Sequence, residues 1–149
     1  MSKFTFIARG FCPSIWWFFY VHSKSRVNFI RQACTLIYMW ITSKNGGYVG
    51  RTTIIESLPD LPHGFHGVHI SRDAHIGKQC VIYQNVTIGG GKNGAPYIGN
   101  NVFIGAGAIL IGGITIGNNV KIGAGAIVVE NIPDDCTVVS EKAKIIKTW

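Results

Sequence analysis

The stretch IGNNVFIGAGAILIGGITIGNNVKIGAGAIV, residues 98–128, repeats one pattern every six residues. An aliphatic residue leads each hexad, glycine commonly follows it, and a second small or branched residue comes four positions after the leader. An α-helix with 3.6 residues per turn cannot keep a strict period of six, and a strand meander would show a period of two. The pattern therefore predicts short strands joined by tight turns, with three hexads in each coil of a β-helix.

The same repeat begins before this stretch, and the predicted fold class is mainly β. Because three hexads make a coil, residues 18 apart should stack, so that Ile70 lies under Ile88 and Ile104 under Ile122. The ten leading aliphatic residues are Ile70, Ile76, Ile82, Ile88, Ile98, Ile104, Leu110, Ile116, Ile122 and Val128.

The repeat loses its phase between Ile88 and Ile98, which are ten residues apart instead of six. The extra residues lie in the glycine-rich segment GGGKNGAP, residues 89–96. Insertions in repeat proteins map to exposed loops on one face and commonly carry function. We therefore predict that residues 89–96 form a functional loop.

The charge of the chain is concentrated at one end. Lys and Arg number 14 against 7 Asp and Glu, and the whole excess of +7 lies in residues 1–51, which contain no acid. Arg and Pro interrupt the apolar residues of this segment, which leaves no run long enough to cross a bilayer. Apolar spacings of three and four predict a helix at residues 26–41. We divide the chain into a basic, aromatic-rich helical segment, residues 1–45, and a β-helix domain, residues 46–149.

Two interpretations of residues 1–45 stay open. The segment packs on the rest of the chain or on a sister subunit, or it makes peripheral contact with a membrane, with Lys and Arg against anionic headgroups. The remaining chain is neutral and has no basic, aromatic stripe, which disfavours nucleic acid. Four cysteines without a C-x-x-C pair, and no secretory signal, indicate a reducing, cytoplasmic setting in which Cys80 is a small core residue.

The repeats Ile104-Gly-Ala-Gly-Ala and Ile122-Gly-Ala-Gly-Ala, together with Val86-Thr-Ile-Gly-Gly, resemble the hexapeptide-repeat acyltransferases. Leu61-Pro-His-Gly followed by the glycine-rich insertion is similar to the serine acetyltransferases and their polysaccharide-acetylating relatives. The resemblance covers about residues 46–148. It implies a left-handed β-helix, which departs from the usual right-handed crossover rule. It also implies a homotrimer that binds acetyl-CoA in the groove between neighbouring coils.

The resemblance implies that His63 is the general base, because it matches the family's catalytic histidine. O-acetylation needs a base for the proton of the attacking hydroxyl, and a neutral imidazole does this well near pH 7. Between His63 and Val86 there is one residue more than in the family, and we place it at His66, the second candidate for the base. No nucleophile elbow is present in the sequence, which favours direct transfer over an acyl-enzyme.

The resemblance also implies donor-binding residues. Small residues would let the pantetheine arm of CoA lie against the backbone, although tight turns alone would also need glycines. Backbone N–H groups of the insertion are candidates for stabilising the oxyanion of the tetrahedral intermediate. The small residues are Gly89, Gly90, Ala106 and Ala124, and the candidates for the CoA phosphates are Lys144 and Lys147, which as ordinary tail lysines would bind nothing.

Two departures from the serine acetyltransferases concern the base and the acceptor. The serine acetyltransferases hold their base with a carboxylate about 15 residues upstream; the matching region here is Tyr48-Val49, which has no acid, and neither Glu56 nor Asp60 matches the motif. The Arg-His pair that grips the carboxylate of serine is replaced by Gly94 and Ala95. A neutral acceptor, such as a sugar hydroxyl of a surface polysaccharide, suits these residues better than free serine.

We therefore expect an acetyl-CoA-dependent O-acetyltransferase in which residues 89–96 shape the acceptor site between subunits. Serine O-acetylation for cysteine biosynthesis and a non-catalytic trimeric β-helix scaffold are the alternatives. No metal is expected, because His69 and His75 are six residues apart and so lie on adjacent faces of the coil. We expect both of these histidines to face outward.

Overall fold

The computed structural model describes Trp40 and residues 44–141. Within this part of the chain, 13 strands of two or three residues form a parallel β-helix. The strands are β1 (Tyr48–Val49), β2 (Ile54–Ile55), β3 (His69–Ile70), β4 (His75–Ile76), β5 (Val81–Ile82), β6 (Thr87–Gly89), β7 (Tyr97–Ile98), β8 (Phe103–Ile104), β9 (Ile109–Ile111), β10 (Thr115–Ile116), β11 (Lys121–Ile122), β12 (Ile127–Val128) and β13 (Thr137–Val138).

The strands pair in three parallel sheets, which are the three faces of a prism. Face A contains β1, β3, β6, β9 and β12, face B contains β2, β4, β7 and β10, and face C contains β5, β8, β11 and β13. Successive strands visit the faces in turn, so the second, third and fourth coils are β3–β5, β6–β8 and β9–β11. Ile70 pairs with Ile88 and Ile104 pairs with Ile122, which confirms the predicted stacking.

The core is the stack of leading aliphatic side chains. All ten that the period of six predicts are at most 2% exposed. The second residue of each hexad fills the space between them, and only Ile132, near the end of the helix, is half-buried among those predicted. Burying each leading side chain stabilises the folded state by roughly 1.5–3 kcal/mol. Because the coils above and below provide this burial, each coil is stabilised mainly by its neighbours.

The β-helix begins one coil earlier than Ile70. Val49, Ile55 and Leu61 continue the period of six and pack against the same core, which makes this the first coil. Leu61 and Ile70 are nine residues apart instead of six, and this second phase break hid the first coil from the periodicity. The extra residues lie in a turn at residues 62–67.

Three corners join the faces, and each is defined by the segments that stack in it. The A–B corner comprises residues 50–53, 71–73, 90–96, 112–113 and 129–131; the B–C corner comprises residues 56–59, 77–79, 99–101, 117–119 and 133–135; and the C–A corner comprises residues 62–67, 83–85, 105–107 and 123–125. The predicted insertion lies between β6 and β7 and leaves the coil at the A–B corner, as a phase break requires.

The predicted helix at residues 26–41 lies outside the described residues, except for Trp40, which is helical. Among the residues that the structure describes, no helix is long and apolar enough to cross a bilayer. The division of the chain at residue 45 stays a prediction.

Candidate functional site

His63 and His66 lie on an anchored turn at the C–A corner of the first coil. Leu61 and Phe65 are each 2% exposed and hold the turn against the core, while both histidines are exposed. Gly47 packs so closely on Phe65 that a Cβ there would stand 2.5 Å from the ring. The turn is thus fixed through two apolar side chains and presents its histidines outside.

The backbone of this turn is joined to the second coil. The Gly64 N–H donates to the Leu61 carbonyl at 2.9 Å, and the Asn85 N–H donates to the His66 carbonyl at 2.9 Å. Gly64 has a φ of 71°, a left-handed value that glycine adopts without strain. The three residues added to this corner therefore form a closed turn rather than a loose loop.

The His63 imidazole lies against the ring of Tyr83, with centroids 5.3 Å apart and ring planes inclined by 50°. Within the described part of the chain, it forms no hydrogen bond or ion pair. Glu56, one carboxylate considered for orienting the base, pairs instead with His75 at 3.2 Å and Lys78 at 3.9 Å on the B side of the prism. Asp60, the other, lies within 4.0 Å of no described basic group.

In the third and fourth coils, the C–A corner carries no side chain larger than a methyl group. The residues there are 105–107 and 123–125, all of them Gly or Ala. The two turns stack directly, because the Gly125 N–H donates to the Ala106 carbonyl at 2.9 Å. We call residues 105–107 and 123–125 the small-residue strip; it is a surface of backbone and methyl groups in line with the His63 turn.

Gln84 lies in the second coil, between the His66 turn and the small-residue strip. Its backbone carbonyl accepts from the Gly107 N–H at 3.0 Å. Its side-chain oxygen is buried and has no hydrogen-bond partner among the described residues. An unpaired buried acceptor costs roughly 1–3 kcal/mol, so a donor from a bound molecule would be favourable here. Gln84 and Tyr83 carry no motif that marks them in the sequence, although the register of the coils places both beside the strip.

The glycine-rich insertion folds against the A–B corner of the next coil. Gly91 and Gly94 bond to each other through both N–H groups, at 2.7 and 3.2 Å, so neither amide is available to an oxyanion. Gly113 packs on the Asn93 carbonyl and leaves no room for a Cβ. Lys92 and Asn93 line an open cleft of about 340 Å³ beside this contact.

The structure divides the predicted site residues between two corners of the prism. Within one chain, it brings the candidate bases together with two of the four small residues, but not with the insertion. The residues at the C–A corner are His63, His66, Ala106 and Ala124; Gly89 and Gly90 begin the insertion on the A–B side; and Lys144 and Lys147 lie outside the described residues.

His69 and His75 lie on different faces, as predicted. His69 is exposed on face A, with its Nδ1 atom 3.1 Å from the Gly67 carbonyl oxygen. His75 is half-buried on face B and stacks on Tyr97, with centroids 4.3 Å apart. No group of three or more His, Cys, Asp or Glu residues in the described ranges is arranged to hold a metal ion.

Cys80 is a core residue, as predicted. It is 1% exposed, and its thiol lies 3.3 Å from the Gly99 carbonyl oxygen. Burial raises the pKa of the Cys80 thiol, and the negative charge of Glu56 adds to the effect. The thiol is therefore neutral near pH 7 and is not a nucleophile.

Comparisons with known proteins agree with this fold. The family described as Bacterial transferase hexapeptide (six repeats) matches residues 95–129. The serine acetyltransferase of Helicobacter pylori (strain ATCC 700392 / 26695) is 39% identical over 131 residues, which cover 83% of this chain and 72% of the relative. A protein of Escherichia coli K12 assigned as the colanic acid biosynthesis acetyltransferase WcaB is 38% identical over 140 residues, which cover 91% of this chain and 82% of the relative.

Among solved structures, serine acetyltransferase isoform 3 of Entamoeba histolytica, in complex with cysteine, matches with a TM-score of 0.75 and 34% identity. The match covers 91% of this chain and 50% of that one, so the chain spans about half the length of this solved relative. The likeness confirms the predicted left-handed β-helix.

Proposed function

The chain belongs to the hexapeptide-repeat acetyltransferases, and on that premise we propose that it transfers an acetyl group from acetyl-CoA to a hydroxyl group. The observation that carries the proposal is the position of His63, exposed on an anchored turn in line with the small-residue strip. A non-catalytic scaffold would need neither an exposed histidine on a closed turn nor a corner made only of glycine and alanine.

The small-residue strip is the proposed site for the pantetheine arm of acetyl-CoA. An extended arm with two amides can lie close to a backbone only where side chains are short, which the methyl groups of Ala106 and Ala124 allow. The buried side-chain oxygen of Gln84 can accept a hydrogen bond from an amide N–H of the arm. Lys144 and Lys147 remain the proposed partners of the CoA phosphates.

His63 is the proposed general base, and His66 on the same turn is the second candidate. The neutral imidazole takes the proton of the acceptor hydroxyl while its oxygen attacks the thioester carbonyl. The tetrahedral intermediate then expels the CoA thiolate, which receives the proton from the imidazolium. Backbone N–H groups of the insertion other than those of Gly91 and Gly94 are the proposed oxyanion donors.

The proposed assembly is a homotrimer in which each site lies between two subunits. His63 and the insertion are at different corners of one prism, so the insertion of a neighbouring chain is the one that can complete the site. Exposed apolar side chains lie on face A and at its A–B edge, between these corners, and a neighbouring subunit would cover them. They are Ile111 at 41%, Ile127 at 68% and Val129 at 66% exposed.

Mixed assemblies test the shared site. His63→Ala removes the base, and Gly113→Asp displaces the insertion, because no side chain fits beside the Asn93 carbonyl. Each variant alone should have little activity. When the two variants are refolded together in equal amounts, about a quarter of the wild-type activity should return. With random mixing, about a quarter of the shared sites combine an intact turn from one subunit with an intact insertion from its neighbour. No recovery would show that both elements act within one chain.

L-serine is the acceptor that the relatives support most broadly, because the proteins from H. pylori and E. histolytica are serine acetyltransferases. A sugar hydroxyl is the second candidate. The similarity to WcaB favours it. So do Gly94 and Ala95, which match the position of the serine acetyltransferases' Arg-His pair and provide no cation for a substrate carboxylate.

Thiol release from acetyl-CoA, measured with the full chain, tests the proposal. L-serine and neutral saccharides are offered in parallel, with His63→Ala as the control for uncatalysed hydrolysis. Turnover of serine alone would remove the sugar candidate, and turnover of saccharide alone would remove serine. A chain that neither binds CoA nor releases thiol would be a scaffold.

For residues 1–45 we propose peripheral contact with an anionic membrane surface at its cytoplasmic side. The support is their charge, since residues 1–51 carry seven bases and no acid while the rest of the chain is neutral. Flotation of the full chain with anionic vesicles, but not with neutral ones, is the expected result. Equal behaviour with both would favour packing on the protein instead.

A further inference from the structure

We propose that Tyr83 is the residue that positions the His63 imidazole for proton transfer. The proposal rests on the proposed function, in which His63 is the general base. It names a substitute for the carboxylate that the resemblance would lead one to expect, because the matching region, Tyr48-Val49, contains no acid. Neither Glu56 nor Asp60 pairs with His63 in the described structure.

A general base needs a fixed direction as well as a suitable pKa. An exposed histidine on a turn can rotate about both side-chain torsions, and each wrong rotamer aims the imidazole nitrogen away from the substrate. The contact with Tyr83 is the ring contact that limits this rotation, because the tilted tyrosine ring occupies one side of the imidazole. A centroid distance of 5.3 Å and an inclination of 50° lie within the favourable range for aromatic pairs.

The same ring also suits the charge that His63 acquires. When the imidazole takes the proton from the acceptor, it becomes a cation, and the face of a tyrosine ring attracts a cation within about 6 Å. A carboxylate at this place would stabilise the imidazolium more strongly. The phenol ring therefore gives orientation and moderate stabilisation without adding a formal charge to the site.

Tyr83 is itself held in place. Its N–H donates to the Ile104 carbonyl at 3.0 Å, and its ring contacts Phe103 at 5.2 Å on the next coil. Gly105 takes the equivalent position one coil further and adds no side chain there. The ring is thus supported from face C.

A second histidine–tyrosine pair in the same molecule provides the matched control. His75 stacks on Tyr97 at 4.3 Å with ring planes only 3° apart, and Glu56 pairs with its Nε2 atom at 3.2 Å. This pair is on face B, away from the C–A corner, and its imidazole is half-buried. It should tolerate the same substitution without a change in catalysis.

The kinetic test compares three variants of the full chain. Tyr83→Leu removes the ring and should lower kcat about threefold to tenfold, with KM for acetyl-CoA within about twofold of wild type. Tyr83→Phe keeps the ring and should restore kcat, which a role of the hydroxyl would not predict. Tyr97→Leu should retain the wild-type kcat. An unchanged kcat in Tyr83→Leu, or an equal loss in Tyr83→Phe, would overturn the proposal.

Histidine NMR gives a readout that does not depend on activity. The His63 ring-proton resonance, assigned by its disappearance in His63→Ala, should shift in Tyr83→Leu because the neighbouring ring current is lost, and should stay in place in Tyr97→Leu. An unmoved resonance would contradict the contact. Full activity of His63→Ala would remove the base assignment and this proposal with it. An inactive His63→Ala beside a fully active Tyr83→Leu would overturn the positioning role alone.

Discussion

The C–A and B–C corners turn the chain with the same backbone conformation but carry different side chains. At the B–C corner, Asn101, Asn119 and Asp135 have φ values of 55°, 57° and 59°, and at the C–A corner Gly107 and Gly125 have 68°. All of these lie in the left-handed region, which glycine adopts freely and Asn and Asp tolerate best among other residues. The backbone alone would therefore accept the same residues at both corners.

The two corners use this freedom in opposite ways. The Asn101 amide donates to Asn119 at 2.9 Å, and the Asn119 amide donates to Asp135 at 2.8 Å, so side chains join three coils at the B–C corner. The two turns of the small-residue strip are joined to each other by a backbone bond, from the Gly125 N–H to the Ala106 carbonyl, and the Ser140 hydroxyl donates to the Ala124 carbonyl at 3.4 Å. A corner that is stable without side chains can leave its surface open to an extended ligand, which is why we place acetyl-CoA there.

The largest effect is expected from His63→Ala at the C–A corner. Loss of a general base should lower kcat about 100-fold to 10,000-fold. Thermal unfolding should stay as in wild type, because the side chain is exposed and forms no hydrogen bond within the described residues. His66→Ala is the control on the same turn and should keep most of the activity. A larger loss in His66→Ala would move the base to that position.

Asn119→Ala is the corresponding substitution at the B–C corner, and it should lower the stability of the protein. It removes two side-chain hydrogen bonds and puts alanine at a φ of 57°, which together should lower the free energy of unfolding by about 2 kcal/mol. Asn119→Gly removes the bonds but fits the backbone, and should lose about half as much. Urea unfolding measures the free energy of unfolding of both variants. Wild-type stability in Asn119→Ala would mean that the side-chain hydrogen bonds at this corner add nothing to the backbone bonds.

Ala106→Leu places a larger side chain on the small-residue strip. The KM for acetyl-CoA should rise about tenfold, a change of about 1.4 kcal/mol, because the pantetheine arm could no longer lie against the backbone. Stability should change by less than about 0.5 kcal/mol, since the side chain points outward from a surface corner. Asn119→Gly should leave this KM unchanged. An unaltered KM in Ala106→Leu would show that the donor binds elsewhere.

The smallest effect concerns the core that both corners enclose. Because burial raises the pKa of the Cys80 thiol, the folded chain keeps its proton longer than the unfolded chain does. The stabilisation from this thiol is therefore complete below its ordinary pKa of 9.0 and decreases as the pH rises above it.

Peptide mapping after treatment with iodoacetamide should show Cys136 labelled in the folded protein and Cys80 only after unfolding. Equal rates would indicate that the core opens readily.

Most of the fold could be predicted because a β-helix core uses one residue type at every sixth position. The leading aliphatics from Ile70 to Val128 were all identified, and all are buried. The first coil was missed for a physical reason as well. The turn at residues 62–67 shifts the phase by three residues, so Val49, Ile55 and Leu61 are out of step with the later hexads although they pack in the same stack.

Candidate site residues can be predicted only where a local motif marks them. The resemblance of the Leu-Pro-His-Gly turn to a family motif points to His63, and the Gly-Ala repeats point to Ala106 and Ala124. Tyr83 and Gln84 carry no such mark, because they lie in a short turn after β5 that contains no recognisable motif. Their importance comes from their neighbours one coil away.

The period of six is enough to predict the coil, because stacking similar side chains every 18 residues buries them in a β-helix. A break in the period also predicts a loop that projects from the coil. Which residues come into contact depends on the three-dimensional packing of the coils. The turn before Ile70 and the insertion before Ile98 add three and four residues to different corners, so contacts between coils no longer follow a constant spacing. His63 therefore meets Tyr83 across a gap of 20 residues, while the insertion lies at another corner of the same prism.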